Sequence, residues 1–339
     1  MHDHMRHITR PELREIRSLK TSPRTALSDS TSDRSLPEMD PSAPERKSGS
    51  ASWPWLSSAG LALLLTASCG DAPAGQSTST TKEDAPSVQY EGSVLYGRFC
   101  LSCHGEDGYG DGVSAELLTI KPRDFSAGVF KFRSTIDGMP SDADLFRTIS
   151  QGIGGTEMGS YETLPPEAIN ALVAHVKELT VGEIELSDEE EADDLVGVKE
   201  VYEEDGWYYA AINWFEFKGV GEELVVPEPP TPTEELVARG KELFTGLASC
   251  NTCHGDEGLG DGASAADLVD DWGFPISPRN FKEDFFKGGT DPEDIYRRVM
   301  LGIPGTPMPA SREVLTEPED PWALVYYVLK LKGNLYIPR

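Results

Sequence analysis

Cysteine and histidine are scarce in this 339-residue chain, which has five Cys and six His. So few thiols leave no disulfide framework to propose once the motifs below are assigned. Long apolar runs are lacking too. The one candidate, residues 51–67, is short and interrupted for a membrane span. Cationic charge is short: 30 Lys and Arg face 58 Asp and Glu, for a net charge of −28. That balance argues against nucleic acid as a partner and favours basic patches on another protein. Methionine is equally sparse beyond residue 68, where only Met139, Met158, Met300 and Met308 occur.

The scarce residues are not scattered. Cys100-Leu101-Ser102-Cys103-His104 and Cys250-Asn251-Thr252-Cys253-His254 repeat one pattern. At i, i+3 and i+4 of a helix these side chains share a face. C-x-x-C-H is the attachment sequence of a c-type haem. Two thiols form thioethers to one porphyrin while the imidazole reaches its iron. Two motifs therefore point to two covalent haem c groups, each with iron. A structural zinc site wants four ligands, whereas each motif offers three and only His175 remains beyond residue 69. A thioredoxin-like pair needs no His at the next position.

The repeat extends beyond the motif. Gly152-Ile153-Gly154-Gly155-Thr156-Glu157-Met158 matches Gly302-Ile303-Pro304-Gly305-Thr306-Pro307-Met308. Motif and Met are both displaced by 150 residues, so 54 residues separate each His from its Met. Pro122-Arg123-Asp124-Phe125 matches Pro278-Arg279-Asn280-Phe281 at a displacement of 156, so loop length varies between fixed points. The expected iron ligands are His104 with Met158 and His254 with Met308. No Met of the second copy matches Met139, and Met300 falls in a helical pattern where a core role is expected. The Gly-rich acidic loops after each motif lack the twelve-residue calcium pattern and read as tight connections.

The N-terminus reads as an export signal. Arg46-Lys47 precede the apolar run, and Thr66-Ala67-Ser68-Cys69 follow it. Cys69 stands where a bacterial lipobox places its lipidated Cys. The expected organisation is an N-terminal extension and signal over 1–68, with Met39 as the start of a signal of ordinary length. A flexible tether follows over 69–87, then repeat one over 88–181. An acidic linker with a small β-hairpin occupies 182–232, and repeat two 233–339. The hairpin strands are expected over 196–202 and 207–217, with a stiff Pro-rich stretch over 227–233. The aromatics Trp207, Tyr208, Tyr209, Trp214 and Phe215 are expected to pack between domains rather than to dock a partner.

Each repeat resembles a class I, mitochondrial-type cytochrome c domain, across about 88–181 and 233–336. Gly92 and Tyr96, or Gly240 and Phe244, sit on an N-terminal helix leading into C-x-x-C-H. Leu172, Val173, Val176 and Leu179, or Leu324, Val325, Val328 and Leu331, sit on a C-terminal helix. The resemblance implies a mainly α fold of two tandem domains whose terminal helices cross at the Gly. It implies that Pro122 and Pro278 pack on the haem-ligating His, their carbonyls fixing its tautomer, and that Arg123 and Arg279 meet haem propionates. Met308 precedes Pro, as is common in the family, whereas Met158 precedes Gly.

The function implied is electron transfer between redox protein partners of a respiratory chain, without enzymatic activity. The expected location is the periplasmic side of a bacterial membrane, through a lipid anchor on Cys69. One alternative is a dihaem cytochrome c peroxidase, expected to carry a distal His soon after its first motif. No His lies between His104 and His175. The other is an electron-transfer subunit of a larger respiratory or metalloenzyme complex.

Overall fold

A computed structural model describes residues 89–338. The expected export signal, Cys69 and the expected tether lie outside the described residues.

Each repeat begins with a helix that feeds the Cys motif. These are α1 (Gly92–Phe99) before α2 (Leu101–His104), and α6 (Glu234–Thr245) before α7 (Asn251–His254). A second pair precedes the Met loops, α3 (Asp142–Gln151) and α8 (Pro292–Leu301). A third pair closes the repeats, α4 (Pro166–Glu178) and α9 (Asp320–Lys332). Local chemistry sets the starts. Ser141 and Asp144 form a capping box on α3. Thr233 caps α6 by accepting from the Leu236 amide. Pro166 and Pro292 occupy first helical positions, where the missing N–H costs nothing.

The first and last helices of each repeat cross closely. A Cβ on Gly92 would stand 2.2 Å from the Ala171 carbonyl oxygen, and one on Gly240 2.0 Å from that of Ala323. Only Gly lets the two backbones approach so far. Beside each crossing Tyr96 meets His175 edge-on at 5.1 Å, as Phe244 meets Tyr327 at 5.3 Å. Leu172, Val173 and Val176 are buried in the first core, and Leu324, Val325 and Val328 in the second. Met300 is buried in the second core, and Met139 in the first.

Between the repeats the expected hairpin is part of a larger unit. β1 (Val181–Leu186), β2 (Val198–Glu204) and β3 (Trp207–Asn213) form an antiparallel sheet of order β1-β3-β2. Asp205 and Gly206 turn β2 into β3 with φ of 52° and 84°, as a tight hairpin turn requires. The expected second strand stops at Asn213, whose side chain accepts from the amides of Phe215 and Glu216 and starts α5 (Trp214–Lys218). Ile184, Leu186, Ala210 and Ile212 join the core of the first repeat. Of the five aromatics, Trp214 and Phe215 are buried in that core and Trp207 is exposed.

The chain then runs back along the first repeat. Gly219 and Glu222 carbonyls accept from the Met139 and Ile136 amides, at 2.9 and 2.7 Å. Leu224 and Val226 pack on the core of the second repeat, and Tyr326 donates to the Pro230 carbonyl within the Pro-rich stretch. The repeats also touch directly. Arg147 pairs with Asp294, Arg312 donates to the Ile136 carbonyl at 3.0 Å, and Phe132 packs on Gly288.

Candidate haem sites

The Cys motifs are built alike. Each is a single helical turn in which the His amide donates to the carbonyl of the first Cys, at 2.9 Å in both copies. That turn gathers Cys100, Cys103 and His104, and likewise Cys250, Cys253 and His254. All four thiols are free and partly buried. Burial, then the neighbouring thiol, pushes Cys100 up to about 11; burial leads for Cys250 also, again to about 11.

The Gly-rich loops wrap each motif. Gly110 donates to the His104 carbonyl and Gly112 to that of Cys103, as Gly260 and Gly262 do to His254 and Cys253. The loop ends where Phe125 donates to Gly108 at 2.8 Å and Phe281 to Gly258 at 2.7 Å. These rings lie on the imidazoles. Phe125 stacks on His104 at 4.7 Å and Phe281 lies over His254 at 4.6 Å.

Burial lowers the basicity of both imidazoles and favours the neutral ligand form. Nδ1 of His104 lies 3.2 Å from the Arg123 carbonyl. Donation there leaves Nε2 with its lone pair for a metal. The acceptor is thus the carbonyl of Arg123, not that of Pro122 as expected. The Pro122 carbonyl instead faces Gly110. At the second site the Arg279 backbone acts on His254 in the same way, but Nδ1 makes no hydrogen bond of normal geometry.

The Met loops share one construction. Thr156 Oγ1 donates to the Ile153 carbonyl at 2.8 Å and accepts from the Met158 amide at 3.1 Å. Thr306 Oγ1 does the same with Ile303 and Met308, at 2.7 and 3.3 Å. Ile153 and Ile303 amides donate back to the Met carbonyls. Gly152 and Gly302 open the loops with φ of 67°, where a Cβ would strike the returning strand of the loop. Met158 and Met308 are both partly buried. The repeated Gly-Thr-x-Met is therefore a hydrogen-bonded hook that fixes the Met backbone.

Tyr161 carried no expectation from sequence, yet it ties the first Met loop to the Cys motif. Its hydroxyl donates to the Phe99 carbonyl at 3.0 Å, and its acidity is weakened by burial, then by Cys100 and Cys103. His175 lies on α4, paired with Glu178 at 3.2 Å and packed against Tyr96. Arg123 reaches across to the second repeat, where its guanidinium stacks on Trp272 at 3.9 Å. Arg279 pairs with Asp284 at 3.6 Å.

Free thiols and neutral imidazoles at both motifs, with the Arg123 acceptor at the first, fit a covalently attached haem at each. Residues 89–176 match the family described as cytochrome C oxidase, cbb3-type, subunit III. Residues 237–332 match the family described as cytochrome c. A solved chain of the Kuenenia stuttgartiensis reducing HAO-like protein complex Kustc0457/Kustc0458 is 34% identical, with a TM-score of 0.57. That match covers 71% of this chain and 94% of the relative. Comparison with curated proteins returned no match. The chain belongs to the cytochrome c family as a dihaem c-type cytochrome, with two covalently bound haem c groups and their irons.

Proposed function

We propose that this cytochrome is a non-enzymatic electron carrier with His/Met ligation at both irons. The observation that carries the reading is the Met hook, made from the same hydrogen bonds in both repeats. Cys100 and Cys103, and Cys250 and Cys253, hold the porphyrins. His104 and His254 would ligate the irons, and Met158 and Met308 would supply the thioether ligands. When bound, each haem c supplies a one-electron iron couple whose potential a thioether ligand raises relative to harder ligands. With both sixth positions taken by Met, the irons would have no open position for a substrate such as peroxide. The lack of any His between His104 and His175 also disfavours the peroxidase alternative.

The partner is a redox protein. The relative belongs to a reducing HAO-like protein complex, which supports reading this chain as the electron-transfer subunit of a comparable assembly. A net charge of −28 suits basic docking patches on that partner. The export signal and Cys69 support lipid anchoring on the periplasmic side of a bacterial membrane. Optical spectra of Met158→Ala and Met308→Ala test the ligation. Each variant is expected to lose half of the weak absorbance band of Met-ligated ferric haem and to gain one high-spin haem. An unchanged band in either variant overturns that assignment.

A further inference from the structure

The two Met loops share their hydrogen bonds but not their stiffness. The second carries Pro304, Pro307 and Pro309 where the first carries Gly154, Glu157 and Gly159. Proline fixes φ and cuts the number of conformations a loop can adopt, whereas Gly raises it. The Thr156 hook ties Met158 to Ile153. Gly154 and Gly159 nevertheless keep the freedom that Pro removes from the second loop.

The second loop is also held from within its own repeat. The stretch with six extra residues includes a small turn over 268–276. There the Asp270 and Ile276 amides donate to the Phe274 and Leu268 carbonyls, at 2.9 and 3.0 Å. The turn lays Trp272 on the Met loop. Two of its ring atoms lie 2.6 and 2.8 Å from the place of a Cβ on Gly305, and the Asp271 amide donates to the Gly305 carbonyl at 3.4 Å. The first repeat is six residues shorter in that stretch.

What stands against the first Met loop comes from the other repeat. Phe285 Cβ lies 3.5 Å from the place of a Cβ on Gly154 and 4.0 Å from that on Gly155, beside Arg279 Nη1 at 3.9 Å. The segment carrying these residues is anchored. The Asp284 carboxylate pairs with Arg279 at 3.6 Å and accepts from the Asn280 amide at 3.0 Å. The Asp284 carbonyl accepts from Lys332 of α9 at 3.0 Å. Phe281 and Phe286 pack in the core of the second repeat, whereas Phe285 is 72% exposed. Its ring is thus left out of its own core and set at contact distance from the looser of the two loops.

We infer that Phe285 is a positioning residue for the other repeat's iron ligand, bracing the first Met loop across the seam and so retaining Met158. The second loop, with its prolines and Trp272, needs no such brace. The inference rests on the His/Met reading above. It makes ligand retention at the first iron, and not at the second, depend on contact between the repeats.

The test is an imidazole titration of the ferric holoprotein, read through the weak absorbance band of Met ligation. In Met308→Ala protein the remaining band reports the first iron alone, and in Met158→Ala protein the second alone. Adding Phe285→Ala is expected to let imidazole abolish the first iron's band at about threefold to tenfold lower concentration, the scale of one partly exposed apolar contact. The second iron's curve is expected to stay where it was. Gly154→Pro, which copies Pro304 of the second loop, is expected to restore most of the loss in the Phe285→Ala protein. Equal curves at the first iron with and without Phe285, an equal shift at both irons, or no restoration by Gly154→Pro overturns the brace. A Met308→Ala protein with no band before imidazole is added would overturn the ligation reading itself, and the brace with it.

Discussion

Two threonine hydroxyls hold the methionine hooks, each accepting from the Met amide and donating to an Ile carbonyl. Thr156→Val and Thr306→Val remove both bonds with little change of shape. Each lost hydrogen bond contributes about 1 kcal/mol, and an amide left unpaired adds to the effect. Imidazole is then expected to displace the sixth ligand at lower concentration, in the first haem for Thr156→Val and the second for Thr306→Val. Equal displacement curves would show that the hooks do not hold the ligand. At this scale the two Cys-x-x-Cys-His motifs were legible because thioether bonds to one porphyrin fix their spacing, and Met158 and Met308 stood out only through the internal repeat. Phe125 was visible only as a matched letter. Its stacking on His104, 21 residues away, depends on how the Gly-rich loop folds back. Tyr161 had no signal, since the second repeat carries Ser311 at its place.

Among the elements, the crossed terminal helices make a contact that tolerates no Cβ. Gly92→Ala and Gly240→Ala would each drive a methyl group into a backbone carbonyl, at 2.2 and 2.0 Å before relaxation. The helices must separate, with an expected loss of about 1–3 kcal/mol from each repeat. Denaturant unfolding of the haem-loaded protein measures it, and an unchanged midpoint would contradict the crossing. Those helices were legible from apolar spacing and the paired Gly. β1 was hidden, because its alternation of Gly182, Ile184 and Leu186 with acidic residues reads as part of an acidic linker. The continuation of β3 into α5 was also missed. Asn213 decides it locally, and Trp214 then fixes it by donating to the Ser126 carbonyl at 2.7 Å.

At the scale of the whole molecule, the intervening sheet belongs with the first repeat rather than to a free linker, and Arg123 and Arg279 each reach the other repeat's Met loop. Neither was legible, because each depends on contacts between segments far apart in the chain. The loop around Trp272 illustrates this. It lies in the stretch where the second repeat carries six extra residues, and it docks on Arg123 of the first. What sequence did indicate at this scale was the pair of haems and haem-based electron transfer, on which the proposed carrier role is built. Optical redox titration of the purified holoprotein tests that role most directly. The expected result is two low-spin haems of positive midpoint potential, one electron taken up by each, and no turnover of added peroxide. A high-spin haem that turns over peroxide would contradict it.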